Sequence, residues 1–272
     1  MTWPLAANLS MLFTSQPLPE RIAAAAEAGF DGVEIQFPYE LAADSLAALL
    51  ASSRMPLALI NLPAGDLMTG GPGLAGVPAR AAEFRQALDV ALRYAERVRP
   101  GCVNILPGRL AKGVEPEAAL DSLVANLQMA CPAFEALGVR VTFEAINRHD
   151  MPGFLIATPT DQLQVIERVG HANLSAQLDF YHMARMGVPL TEAIRDLSAH
   201  IGHVQFADAP GRGKPGSGQV DFSPAFAALR QTGYRGWLAA EYRADVDAEA
   251  GEQAWLQAWS QRGWIRRRDR SV

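Results

Sequence analysis

Short apolar, β-prone runs alternate with longer Ala/Leu-rich stretches along the whole chain. The first kind reads as buried strands and the second as helices packed over them. Strands are predicted at about 5–10 (LAANLS), 31–37 (DGVEIQF), 57–62 (LALINL), 102–106 (CVNIL), 139–144 (VRVTFE), 174–179 (LSAQLD), 202–207 (GHVQFA) and 236–241 (GWLAAE). Helical candidates between them include 19–28, 79–97 and 116–136. Gly29 and Gly138 each follow a helical run and precede a strand, as helix C-caps do. Strict β-then-α alternation implies parallel strands joined by right-handed crossovers. Eight such units in 272 residues predict an α/β fold, a closed (β/α)8 TIM barrel and not an open sheet. No Pro/Ser-rich linker interrupts the pattern, so one domain over 1–272 is expected.

Composition narrows the function classes. The chain is 49% hydrophobic and 19% charged, enough apolar surface for a large core and too much for disorder. A net charge of -5 argues against a general nucleic-acid binder, which needs a dominant basic surface. Cys102 and Cys131 lie in apolar surroundings without CxxC spacing and read as reduced packing residues. No secretion signal or membrane-length apolar run is evident, so a cytoplasmic protein is expected.

A barrel of this kind carries its chemistry at the C-terminal ends of the strands. Strands five to eight close on Glu144, Asp179, Gln205 and Glu241. Three carboxylates and an amide oxygen on one mouth suit a hard divalent cation such as Mg²⁺ or Mn²⁺. Without a cation the crowded carboxylates would repel one another. His182, three residues beyond Asp179, reads either as a neighbour of the metal shell or as a helix-start histidine satisfied by backbone. His203 points the same way as Gln205 and reads as support for it or as a packed barrel histidine. Asn8 and Asn61, near the ends of strands one and three, either contact substrate or cap turns. Arg212, in the loop after strand seven, is a candidate clamp for a substrate carboxylate or an exposed loop arginine.

Other motifs carry less. Gly211–Gly216 and Gly71–Gly76 formally match GxGxxG, but neither turns directly from strand to helix, so neither supports dinucleotide binding. Arg266–Arg270 reads as a solvated tail. Trp255, Trp259 and Trp264 suggest an apolar face packed on the barrel or, less readily, a subunit interface.

Ordered stretches through nearly the whole chain add a family resemblance. They are Ala7–Phe13, Gly32-Val33-Glu34, Phe37-Pro38-Tyr39, Asn61–Asp66, Met151–Phe154, Asp179–Met183, Gly202–Asp208, Pro215–Gly218 and Glu241-Tyr242. On these the sequence resembles the hydroxypyruvate isomerase family of xylose-isomerase-like barrels. The resemblance implies a metal held by Glu144, Asp179, Gln205 and Glu241, an acid/base pair of Glu144 and Glu241, and substrate held by His182 and Arg212. It also implies a small 2-oxo acid substrate and a homo-oligomer. Where the family commonly reads Glu-Pro-Ile-Asn, this chain has Glu144-Ala145-Ile146-Asn147, followed by a polar Arg148-His149-Asp150. Both departures lie at the rim and bear on substrate choice.

The expected reaction is proton abstraction α to a carbonyl, an enediolate, and reprotonation at the next carbon. The neighbouring readings are a 2-oxo-tetronate isomerase or a sugar epimerase, and more distantly a non-catalytic sugar-acid binding barrel. A multi-zinc nuclease on the same barrel needs a histidine-rich centre, and the five histidines lack its spacing.

Overall fold

A computed structural model of the chain describes residues 2–243 and 252–266. Eight parallel strands close into a barrel in sequence order: β1 (Leu5–Asn8), β2 (Gly32–Ile35), β3 (Leu57–Asn61), β4 (Cys102–Asn104), β5 (Arg140–Glu144), β6 (Leu174–Asp179), β7 (Ile201–Phe206) and β8 (Leu238–Ala240). Closure is made by β1 on β8, with Leu5, Ala6 and Ala7 opposite Leu238, Ala239 and Ala240. The helices are α1 (Leu18–Ala28), α2 (Ala43–Ser53), α3 (Ala81–Val98), α4 (Pro116–Glu135), α5 (Pro159–Val169), α6 (Phe180–Arg185), α7 (Leu190–Asp196), α8 (Phe222–Gln231) and α9 (Glu252–Gln261).

Each sequence-predicted strand has its counterpart, but six of the eight are shorter than their apolar runs; β6 matches its run and β7 is shifted by one residue. β2 stops at Ile35 and β4 at Asn104, because the residues beyond leave the ladder to build the mouth. One connection departs from the simple alternation: two short helices, α6 and α7, separate β6 from β7. Gly29 is the left-handed cap of α1, its N–H turned back on Ala25 and Ala26. The cap of α4 is Ala136, and Gly138 takes its positive φ two residues later, in the turn into β5. Both GxGxxG matches fall in loops, as their sequence context implies.

Side chains alternate along each strand, so one set faces the helices and the other the barrel axis. The outward set joins a core that includes Val33, Ile60, Val103, Val141, Leu178 and Val204. The inward set changes character along the axis. At the N-terminal end Ala6, Ala58 and Ala239 fill the narrow interior. One pleat higher come polar residues: Asn8, Glu34, Thr142, Gln177 and His203, all buried. Glu144, Asp179 and Glu241 follow at the mouth, also buried.

α9 lays Trp255 and Trp259 against Phe206, with Trp259 also on Phe222 and Phe226 of α8. Trp264 joins this cluster through Phe226 and Trp259, so the tryptophans pack on the barrel. Cys102 and Cys131 are buried and unbridged. Arg267–Arg270 of the basic tail lie outside the described residues. Among the described residues no helix is long and apolar enough to cross a membrane.

Candidate active site

Three of the four strand ends deliver carboxylates to one point. Glu144 and Asp179 are the last residues of β5 and β6, and Glu241 follows β8 directly. Glu144 and Glu241, with Asp150, line a cavity of about 200 Å³, and Asp179 sits behind its wall beside Glu144 and His182. Gln36, Asn61, Gln177, His182, Arg212 and Arg243 supply further polar walls, and Met68, Leu106, Ile146 and Met151 an apolar one.

Removal from water dominates the electrostatics. Burial, then the charges of Glu241 and Asp179, pushes Glu144 well above the usual carboxylate range. Burial and Glu241 push Asp179 up to about 7. Glu241 is raised too, again by burial, with Arg212 opposing. Burial and the Arg212 charge hold His182 well below the usual imidazole range, so the ring is neutral.

The hydrogen bonding divides these groups. Glu144 Oε1 and Asp179 Oδ2 are buried and have no hydrogen-bond partner among the described residues. His182 Nε2 stands 3.4 Å from the first and 3.5 Å from the second. One ligand atom each from Glu144, Asp179 and His182 lies within 4.8 Å of the others. Orphaned carboxylate oxygens are costly unless a cation or a donor meets them, so this group fits a hard divalent metal.

The other expected ligands are engaged elsewhere. Gln205 Oε1 accepts from Gln177 Nε2 at 2.6 Å, while its Nε2 donates to Glu34 Oε1 at 2.7 Å. Its amide therefore sits inside the barrel network and does not line the cavity; the reason is Glu34, a buried carboxylate opposite. Glu241 Oε1 accepts from Asn8 Nδ2 (2.9 Å) and Gln36 Nε2 (2.8 Å), and its Oε2 from Arg212 Nη2 at 2.5 Å.

Arg212, expected on a substrate carboxylate, is thus paired with Glu241, with Asp179 Oδ2 3.7 Å away. Its guanidinium lies over the Tyr181 ring, and its Nη1 hydrogen-bonds to no described residue. The backbone here has φ +56°, a strained value for any residue with a Cβ. A local scaffold over-determines it. Asp208 accepts from the N–H groups of Ala209, Gly216 and Val220, and Arg243 N–H donates to the Arg212 carbonyl.

Asn8, read as a substrate contact or a turn cap, does the second and more. Its Oδ1 accepts from Ser10 N–H and its Nδ2 bridges Glu34 and Glu241, leaving no donor for a substrate, and it does not line the cavity. Asn61 does line the cavity, accepting from Asn104 Nδ2 at 3.1 Å. His203 is packed inside the barrel on Glu34 Oε2 at 2.8 Å. Burial works to lower its pKa but is outweighed by Cys102 and Glu34, which hold it at about 10.

Sequence reasoning passed over Glu34, Gln36, Gln177, Asn104, Asn147 and Asp150. The signal for Gln177 and Glu34 was period-two alternation: Gln177 precedes Asp179 by two, and Glu34 pairs in register with Asn8. Asn147 and Asp150 sit in a loop, where no periodicity marks them.

This arrangement, a parallel eight-stranded barrel with an acidic mouth, has matching relatives. The profile described as xylose isomerase-like TIM barrel matches residues 22–266, and the chain belongs to that family. Among relatives, hydroxypyruvate isomerase of Escherichia coli is 38% identical over 245 residues, spanning 90% of this chain and 95% of that one. A 2-oxo-tetronate isomerase of Pectobacterium atrosepticum is 34% identical, spanning 93% and 97%. A crystal structure named AP endonuclease, family 2, from Brucella melitensis superposes with TM-score 0.88 at 33% identity, over 96% of this chain and 99% of that one.

Proposed function

We propose that the protein is a divalent-metal-dependent isomerase that interconverts hydroxypyruvate and tartronate semialdehyde. The observation that carries this reading is the pair of orphaned, buried oxygens of Glu144 and Asp179 at the mouth of a small cavity. Relatives named for isomerisation of 2-oxo acids support it. At about 200 Å³ the cavity lies below the roughly 300–1,000 Å³ of sites for drug-sized ligands, in keeping with a substrate of few carbons.

Glu144 and Asp179 would hold the metal, Mg²⁺ or Mn²⁺, with Glu241 beside them; when bound it supplies Lewis-acid stabilisation of charge on adjacent substrate oxygens. The chain's residues account for the rest. Glu144 and Glu241 belong to strands on different sides of the mouth and act as the acid/base pair. One removes the proton from C3 of hydroxypyruvate, leaving an enediolate across C2 and C3. The other returns a proton to C2 while the C3 hydroxyl proton passes to the C2 oxygen, so the carbonyl moves by one carbon with no atom gained or lost. Arg212 faces the substrate carboxylate with the Nη1 edge that Glu241 leaves free, and Asn61 and His182 line the approach.

The test is purified protein with Mg²⁺ or Mn²⁺ and hydroxypyruvate, with tartronate semialdehyde coupled to a reductase. Turnover above a metal-free blank is expected; none, with folded protein, rejects the reading. A 2-oxo-tetronate assayed alongside decides chain length, because relatives of both names align over most of the chain. A nuclease reading, which the Brucella structure's name raises, lacks its chemistry here: His182 is the one histidine among the residues lining the cavity.

A further inference from the structure

His182 faces the carboxylates of Glu144 and Asp179, and what it offers them depends on which ring nitrogen carries the proton. Heavy-atom positions alone do not show a tautomer, but the partners of the far nitrogen can. In the loop after β5, the N–H groups of His149 and Asp150 both donate to Asn147 Oδ1, at 3.1 and 2.9 Å. That fixes the amide. Turned over, its NH₂ would face two N–H donors and its oxygen would face Asp150 Oδ2, which accepts from Nδ2 at 3.0 Å. The Asp150 carboxylate is itself held by the Tyr181 hydroxyl at 2.7 Å. The second hydrogen of Asn147 Nδ2 then points at His182 Nδ1, 2.7 Å away. A ring nitrogen met by an N–H must offer its lone pair, so the ring proton sits on the other nitrogen.

We infer that Asn147 is a positioning residue that locks His182 as the Nε2–H tautomer, so the imidazole enters the mouth as a hydrogen-bond donor and not as a metal ligand. A ring nitrogen bearing a proton has no lone pair to give a metal. The distances agree: 3.4 and 3.5 Å from Nε2 to Glu144 and Asp179 are long for a hydrogen bond to either. The N–H is left aimed between two acceptors, where an oxygen of a bound substrate completes it. The tautomer stands whatever the reaction; its use on a 2-oxo acid rests on the isomerase reading. The carboxylates then hold the metal without the histidine, although all three groups lie close enough to share one ion.

The test reads the ring directly. In metal-free protein labelled with ¹⁵N in its histidines, two-bond proton–nitrogen correlations should show His182 as Nε2–H, assigned by its loss in His182→Gln. An exchange variant, Asn147→Asp with Asp150→Asn, keeps an oxygen for the two backbone N–H groups but turns a carboxylate on Nδ1. Its proton should move to Nδ1. With Mn²⁺ bound, electron spin-echo spectra should show no coordinated imidazole nitrogen in the wild type and one in the exchange variant. Should the exchange variant fail to fold, Asn147→Ala should give a mixture of tautomers. An Nδ1–H ring in the wild type, a coordinated His182 nitrogen on wild-type Mn²⁺, or an unmoved tautomer in a folded variant each overturns the inference. In the isomerase assay the exchange variant should lose about 10–100-fold in kcat, the usual cost of disturbing a group that orients a site residue. Wild-type protein inactive on every 2-oxo acid but showing the expected ring would reject the reaction and leave the tautomer standing.

Discussion

Glu144 and Glu241 are alike in type and unlike in surroundings. Glu241 is gripped by Asn8, Gln36 and Arg212, while Glu144 keeps one oxygen without a partner. Replacing either with Gln preserves shape and an oxygen but removes the shuttled proton. Each variant should lose at least about a hundredfold in kcat at saturating metal, the lower end of what acid–base assistance supplies. Near-wild-type turnover by both would exclude the two-glutamate route. Arg212→Ala should raise KM for the acid substrate about tenfold or more, since a charged hydrogen bond is worth about 1.5–3 kcal/mol. An unchanged KM would return the arginine to a purely structural role on Glu241. Glu34 makes a different kind of prediction. It sits fully buried, taking bonds from Asn8, Gln205 and His203. Glu34→Ala would leave the buried donors of Asn8, Gln205 and His203 without their acceptor and should cost about 3 kcal/mol or more of unfolding free energy in denaturant titrations.

Among the elements, the β7–α8 loop does the most for the site with the least regular structure. Asp208 ties three of its N–H groups, and the strained Arg212 depends on that frame. Asp208→Ala should leave the barrel folded, with an unchanged circular dichroism spectrum, while raising KM in the direction of Arg212→Ala. A variant with normal KM would show the loop holds itself. The loop also marks where sequence reading stops. Strand ends were legible because alternation and the eightfold pattern say which residue comes last, so Glu144, Asp179 and Glu241 could be named in advance. Gln205 obeyed the same pattern yet turned to Glu34, because a neighbour's side-chain hydrogen bonds carry no periodic signal. The partition of α6 from α7 was equally hidden: both are short, and neither spans enough turns to display a helical repeat.

For the molecule as a whole, the acidic mouth sets a pH dependence with a definite sign. In the metal-free protein Asp179 is held at about 7, whereas an unfolded chain releases that proton near pH 4. Between those values the folded form binds the extra proton, so this group's contribution to stability falls as pH rises. Asp179→Asn removes the penalty. Its melting temperature relative to wild type, without metal, should climb from pH 5 to 8, and saturating Mg²⁺ or Mn²⁺ should reverse the order. A constant difference across that range would mean the carboxylate is ionised throughout.

The pairing of Arg212 with Glu241 has one more consequence, visible when the mouth is treated as a balance of formal charge. Glu144, Asp150, Asp179 and Glu241 meet the guanidinium groups of Arg212 and Arg243 there, and His182 adds nothing while neutral. With all four acids ionised, the deficit is two positive charges, the valence of one alkaline-earth or manganese ion. A monovalent ion leaves the site short and a trivalent one overfills it. Selectivity by valence would then come from the resident arginines as much as from the ligands. Arg212→Gln should therefore weaken discrimination against trivalent lanthanides, measured by competition with Mn²⁺, even though no ligand to the metal has been touched.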